Sequence, residues 1–307
     1  MTRFITRRIL RTPWLPLGLL LAIAAGCRSL SGTIDLDDGV ITFNFDLPRT
    51  RVEREATTRP VAGLSTLRVN TRNGSIDVRI DRSLSQALIE TTRFATGRTS
   101  AEADELLAQV RVNTTQAADV LEINVEFPAA AAAARDLFAS GGGTGCSVAV
   151  RLPAGLLLEL TTANGPVSVR DNQGRIRAAT SNGRIRVQDQ AGDLELETSN
   201  GSIEALRAAG NVRGRTSNGS IIVRANPSAG GSIDLETSNG RIQIEVPRST
   251  AASIDLATSN ARVTLDLVGF VVTQLQQAQT TATGVLNGGG GTIRARTSNG
   301  SLTFGGY

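Results

Sequence analysis

The chain has 307 residues, with 32 basic and 28 acidic side chains, a formal net charge of +4, no His and two Cys. Every basic residue is Arg, so imidazole general bases, Ser-His-Asp and Cys-His relays, His metal ligands, Schiff-base lysines and P-loops are all excluded.

In chain order, the first segment is an export signal. Arg3, Arg7, Arg8 and Arg11 form a basic region without acids, Trp14 to Ala25 is an apolar run, and Ala24-Ala25-Gly26 precedes Cys27. A dozen apolar residues is shorter than the roughly 20 a spanning helix needs. The ending resembles the lipobox of bacterial lipoproteins, which implies lipidation of Cys27 after removal of residues 1–26. A plain secretory signal that happens to carry a Cys is the alternative, and Arg7-Arg8 leaves twin-arginine export open. Removing residues 1–26, which hold four Arg and no acid, leaves 28 Arg against 28 acids. A neutral mature chain, with Trp14 gone and little aromatic content, is poor material for gripping phosphates or bases, so no nucleic-acid partner is expected.

Residues 27–40 read as a linker after the lipidated Cys. Asp35, Asp37 and Asp38 before Gly39 lack the spacing of a calcium loop, and neither a metal nor a cofactor is expected. From residue 41 to 307 the chain reads as one repeat domain with insertions at about 95–145 and 266–291. Thr-Ser-Asn-Gly or a close variant places Asn at 73, 164, 182, 200, 218, 239, 260 and 299, spaced 91, 18, 18, 18, 21, 21 and 39. Alternating apolar residues flank each copy, as in Leu194/Leu196 before and Ile203/Ala205 after Asn200, which predicts half-buried strands on either side of a corner. Asn-Gly is expected to supply the positive φ of that corner. In the first insertion, Thr99-Ser100-Ala101-Glu102 has capping-box spacing and predicts a helix over about 100–109, followed by strands at 119–127 and 146–152. Cys146 heads the second of these as an inert thiol.

Asn-Gly between alternating runs fits an antiparallel meander or a solenoid. The position three residues before each Thr decides between them: Arg68, Glu159, Arg177, Glu195, Arg213, Asp234, Asp255 and Arg294, alternating in sign except between Asp234 and Asp255. Stacked coils would place these side chains on adjacent strands, where opposite charges attract. The expected fold is therefore all-β: a parallel β-solenoid of 18–21-residue coils with a short α/β insertion in the N-terminal half. In that fold Asn73, Asn164, Asn182, Asn200, Asn218, Asn239, Asn260 and Asn299 form a structural turn column, and the Arg and acidic residues above form a structural charge ladder. Asn73, Asn200, Asn218 and Asn299 are also formal glycosylation sequons, but the turn accounts for them.

The repeated Thr-Ser-Asn-Gly-x-Ile motif, Val148 to Gly155 before it and Gly288 to Ser301 at the end resemble the bacterial DUF4097 family, labelled "putative adhesin", over roughly residues 40–307. The resemblance implies a solenoid-like domain of cell-envelope proteins and supplies no catalytic residues. Together these readings predict a non-enzymatic, lipid-anchored envelope protein with structural or adhesive contacts. The membrane is one partner, through the anchor, and an envelope protein or glycan is another. In a Gram-negative host the resemblance to lipoproteins, with Arg28 and not Asp after Cys27, implies sorting to the outer membrane. The competing reading is a glycan-active β-helix enzyme, a polysaccharide lyase or hydrolase using paired carboxylates.

Overall fold

The computed structural model describes residues 30–35, 40–45, 49–127, 143–153 and 155–307. The expected export signal, Cys27 and the Ala-rich stretch at 129–134 lie outside the described residues. The chain divides into two compact units. One comprises residues 53–93, 110–127 and 145–307, and the other includes the described residues before 53, the segment 94–109 and residues 143–144.

The larger unit is a parallel β-solenoid. Each coil contributes one strand to each of two sheets. In the first sheet run β4 (Thr66–Asn70), β7 (Arg111–Ala117), β8 (Val120–Glu126), β10 (Leu157–Thr161), β12 (Ile176–Thr180), β14 (Leu194–Thr198), β16 (Val212–Thr216), β18 (Ser232–Thr237), β20 (Ala252–Thr258), β22 (Val272–Gln277), β23 (Thr281–Leu286) and β24 (Gly291–Thr297). In the second run β3 (Arg49–Pro60), β5 (Ile76–Ile80), β6 (Gln86–Gly97), β9 (Gly143–Leu152), β11 (Val167–Arg170), β13 (Ile185–Gln190), β15 (Ile203–Ala208), β17 (Ile221–Ala225), β19 (Ile242–Val246), β21 (Val263–Asp266) and β25 (Leu302–Gly306). Successive coils pair in parallel and in register, as in Leu194 with Val212 and Ile203 with Ile221.

The period-2 pattern explains the core. Alternate residues of both sheets point inward, so Leu158, Ile176 and Leu194 on one side and Val167, Ile185 and Ile203 on the other are buried in a single cluster. Each fully buried aliphatic side chain of this kind contributes about 1.5–3 kcal/mol. Gly214 is the one inward glycine of the column; a Cβ there would meet Leu235 Cδ2 at 3.1 Å, so the larger neighbour fills the place.

The coils do not stack in chain order. The spatial order at one end of the first sheet is β16, β18, β24, β20, and in the second β17, β19, β25, β21. The last coil of the chain, β24 and β25, is inserted between the coil of β18 and β19 and the coil of β20 and β21. The insertion before it forms an antiparallel hairpin of β22 and β23 that extends the first sheet beyond β20. Val268 and Val271, leading into that hairpin, are exposed, while the Phe270 ring lies 6.0 Å from Phe304. At the opposite end, β7 and β8 form an antiparallel pair whose β8 runs parallel to β4.

Elsewhere, among the described residues, β1 (Leu30–Asp35) and β2 (Val40–Phe45) pair only with each other, in a separate two-stranded sheet. The helix α1 spans Ser100–Ala108. Thr99 is its N-cap and accepts from the Glu102 amide at 3.1 Å, while the Glu102 carboxylate accepts from the Arg98 amide at 2.7 Å. Arg51 is paired with Asp104 of this helix at 2.7 Å.

Candidate functional site: the corner columns and the charged outer faces

The Thr-x-Asn-Gly corner is built by one hydroxyl, one amide and one missing side chain. Thr198 is buried, and its Oγ1 donates to Gly183 O of the preceding coil at 3.1 Å while accepting from Gly201 N of its own corner at 3.2 Å. Thr180, Thr216, Thr237 and Thr297 repeat the same two bonds. The hydroxyl thus closes the turn and ties it to its neighbour, which satisfies buried backbone groups that would otherwise be costly.

The Asn side chains form one continuous ladder. Asn164 Nδ2 donates to Asn73 Oδ1, Asn182 to Asn164, Asn200 to Asn182, Asn218 to Asn200, Asn239 to Asn218 and Asn299 to Asn239, each at 2.7 Å. Asn260 donates to Asn299 at 2.6 Å, so the ladder follows the spatial and not the chain order. Asn260 is followed by Ala261, and Gly74 after Asn73 has a φ of 158°, but at the repeated inner corners the glycine has a different role from the one expected. Gly183, Gly201, Gly219, Gly240 and Gly300 do not have positive φ. A Cβ on Gly201 would lie 1.7 Å from Gly183 O, so it is the close approach of stacked backbones that excludes a side chain. Left-handed backbone occurs instead at the other corner, at Asp171, Asp189 and Arg207, with φ of 63°, 55° and 56°.

On the outer face of the first sheet the charged residues stand in one row. In register order they run Glu122, Arg68, Glu159, Arg177, Glu195, Arg213, Asp234, Arg294, Asp255. The sign alternates at every step, because Arg294 separates Asp234 from Asp255. Glu122, not singled out by the sequence, extends the row at its other end. Contacts within it include Arg68–Glu159 at 2.7 Å, Arg177–Glu195 at 3.1 Å and Arg294–Asp255 at 3.5 Å. The hydrogen bond to Glu159 holds the Arg68 guanidinium above its ordinary pKa. A parallel row runs Glu197, Arg215, Glu236, Arg296, again alternating.

The second sheet has Arg186 in register with Glu204 and Arg224 with Glu245, and the Arg224 guanidinium lies 4.1 Å from the Tyr307 ring centroid. At the left-handed corner Arg207 donates to both Asp189 oxygens, at 2.6 and 2.7 Å, and this hydrogen bonding pulls the Asp189 carboxyl below the usual range. Beside it, a cavity of about 470 Å³ is lined by Arg82, Asp171, Asn172, Asp189 and Gln190 among others. Its two carboxylates are not presented together to a cation, since Asp189 is held in that two-pronged bond. Among the described residues no group of three or more His, Cys, Asp or Glu could hold a metal ion. Cys146 is buried, and desolvation pushes its thiol up to about 11. No helix among the described residues is long and apolar enough to cross a membrane.

No family model matches the sequence, so the likeness to the DUF4097 family rests on the repeated motif, and no curated protein matches it either. Among crystal structures, the chain is similar to a "putative cell adhesion protein" from Clostridium sporogenes at 9% identity and a TM-score of 0.38, covering 84% of this chain and 100% of that one. It is also similar to a "putative adhesin" from Bacteroides fragilis at 12% identity and a TM-score of 0.33, covering 83% and 97%. A third, a "putative adhesin" from Parabacteroides merdae, has 12% identity and a TM-score of 0.23, covering 84% and 96%. At such identities and TM-scores the likeness carries no functional inference, which rests on the geometry above.

Proposed function

We propose that this chain is a non-enzymatic, lipid-anchored protein of the bacterial cell envelope that presents a stiff β-solenoid surface for structural or adhesive contacts. The observation that carries this reading is the use made of the charged side chains. Along the outer face of the first sheet each carboxylate stands beside an Arg of the next coil, an arrangement that stabilises stacking and withholds the free acid–base pair a glycan hydrolase or lyase needs. The threonine and asparagine columns are likewise engaged with their neighbouring coils. What such a scaffold offers is a long, regular, charged surface held at fixed spacing.

The anchor in this proposal is Cys27, with residues 1–26 removed as the export signal. Several acyl chains on one lipoprotein Cys hold stably where a single chain would not. Expression of the full chain with palmitate labelling and fractionation tests it. The wild type should incorporate label and sediment with membranes, and the Cys27→Ala variant should lose both. Unchanged fractionation of Cys27→Ala would overturn the anchor.

A further inference from the structure

The outer face of the second sheet breaks the charge rule in one place. Arg79 on β5 stands in register with Arg151 on β9 on one side and with Arg170 on β11 on the other. In the other registers of paired strands among β4, β5, β7, β8 and β10–β25, two charged residues that face each other are of opposite sign. Like charges directly opposite one another on adjacent strands repel, so this row costs stability that the rest of the surface avoids losing.

All three side chains are exposed. Arg151 has one distant carboxylate, Glu90 at 3.9 Å. Arg79 and Arg170 have no ion pair among the described residues. Asp81 lies close enough to feel both Arg79 and Arg151 but makes no ion pair with either among the described residues; its Oδ1 accepts from the Ser83 amide and hydroxyl, at 3.1 and 2.5 Å. Asp77 precedes Arg79 by two residues on the same strand, facing Ser168 and Ala149 and not an Arg.

We propose that Arg151, Arg79 and Arg170 form a binding row for an acidic polysaccharide, one carboxylate-bearing sugar to each guanidinium. Adjacent strands are about 4.7–4.9 Å apart, so the row presents a cation at each step of that length across the strands. This step is comparable to one sugar ring in an extended uronic-acid polymer. Guanidinium groups suit the task because their planar fork meets a carboxylate with two parallel hydrogen bonds. The row continues in register to Gln188 and half-buried Leu206, an uncharged stretch on which the sugar backbone could lie. A nucleic acid fits less well, since it is held by aromatic stacking as well as charge, and no aromatic residue stands in these registers.

This proposal rests on the reading of the solenoid as a contact surface and supplies the chemistry of its partner. Its test is independent of the anchor, because it uses the purified full chain carrying Cys27→Ala. Binding to polygalacturonate, to dextran and to a single-stranded oligonucleotide is measured by calorimetry at low and at moderate salt. Polygalacturonate is expected to bind with an affinity that falls as salt rises, and dextran not to bind. Arg79→Gln should weaken polygalacturonate binding about tenfold, and the Arg79→Gln, Arg151→Gln, Arg170→Gln triple variant should abolish it. Arg177→Gln, which removes the same charge from the compensated ladder, should leave it unchanged. The thermal midpoint of Arg79→Gln should equal or exceed that of the parent, which separates lost binding from lost folding. The proposal is overturned by absence of polygalacturonate binding, by equal losses in Arg79→Gln and Arg177→Gln, by oligonucleotide binding as tight as that of polygalacturonate, or by a lowered midpoint in Arg79→Gln.

Discussion

Arg294 faces Asp255 in register from a strand that enters the sheet between two coils made earlier in the chain. On its other side it faces Asp234. Without the last coil in that slot, direct pairing of β18 with β20 in the same register would set Asp234 against Asp255 and repel. The side chains thus specify the position of the final coil as well as its pairing.

Replacing Arg294 by Glu should therefore expose the ladder's contribution. The change loses two attractive neighbours and creates two repulsive ones, at about 0.2–1 kcal/mol each, so a destabilisation of roughly 1–4 kcal/mol is expected. Arg294→Gln, which loses the two attractions without adding repulsion, should cost about half as much. Urea denaturation at low and high salt checks both, and the difference between them should shrink as salt screens the row.

The corner glycines should be far less tolerant than an exposed one. Gly201→Ala would place a methyl group 1.7 Å from Gly183 O, which only a backbone shift through the stack can relieve. A loss of more than about 3 kcal/mol is expected, in the range reserved for severe packing faults. Gly143→Ala, with open space around the added methyl, should be close to neutral in the same denaturation assay.

Acid should weaken the left-handed corner. The Asp189 carboxyl is held below its usual range by Arg207, so the contribution of this pair is present above the unfolded carboxyl pKa, near 4, and is lost as pH falls through the lower folded value. Stability measured from pH 6 down to pH 2 should fall less steeply below about pH 4 in Asp189→Asn than in the parent. Identical acid limbs would contradict the pairing.

Cys146 should be unreactive until the solenoid opens. Its buried thiol, pushed up to about 11, is almost wholly protonated at pH 8, and the thiolate is the reactive species. Alkylation of the Cys27→Ala chain at pH 8 should be negligible over hours in the native state and complete within minutes in urea.

The repeat, its parallel stacking and the charged row were legible because they depend on local alternation and on one residue type recurring at a fixed offset. The order of the coils was not, since every coil carries nearly the same strand pattern and alternation alone does not choose a neighbour. The clues were present in the one like-sign step from Asp234 to Asp255 and in the 39-residue gap between Asn260 and Asn299. Both follow from a final coil that returns after a hairpin. Asn-Gly favours positive φ within a single turn, whereas the actual constraint on the inner corner glycines is the carbonyl of the coil next door. The juxtaposition of Arg79, Arg151 and Arg170 is not legible in the spacing for a related reason: Arg151 belongs to β9, whose place beside β5 depends on a long connection.

The measurement that tests the account most directly is disulfide formation between paired cysteines in a Cys27→Ala background. If the last coil is inserted as described, Asp234→Cys with Arg294→Cys lies about 4.8 Å apart at Cα, one strand spacing and within disulfide reach. Asp234→Cys with Asp255→Cys then lies about two spacings apart, beyond that reach. A rapid, near-complete crosslink is expected in the first pair and none in the second. A crosslink between positions 234 and 255, with none between 234 and 294, would contradict the account.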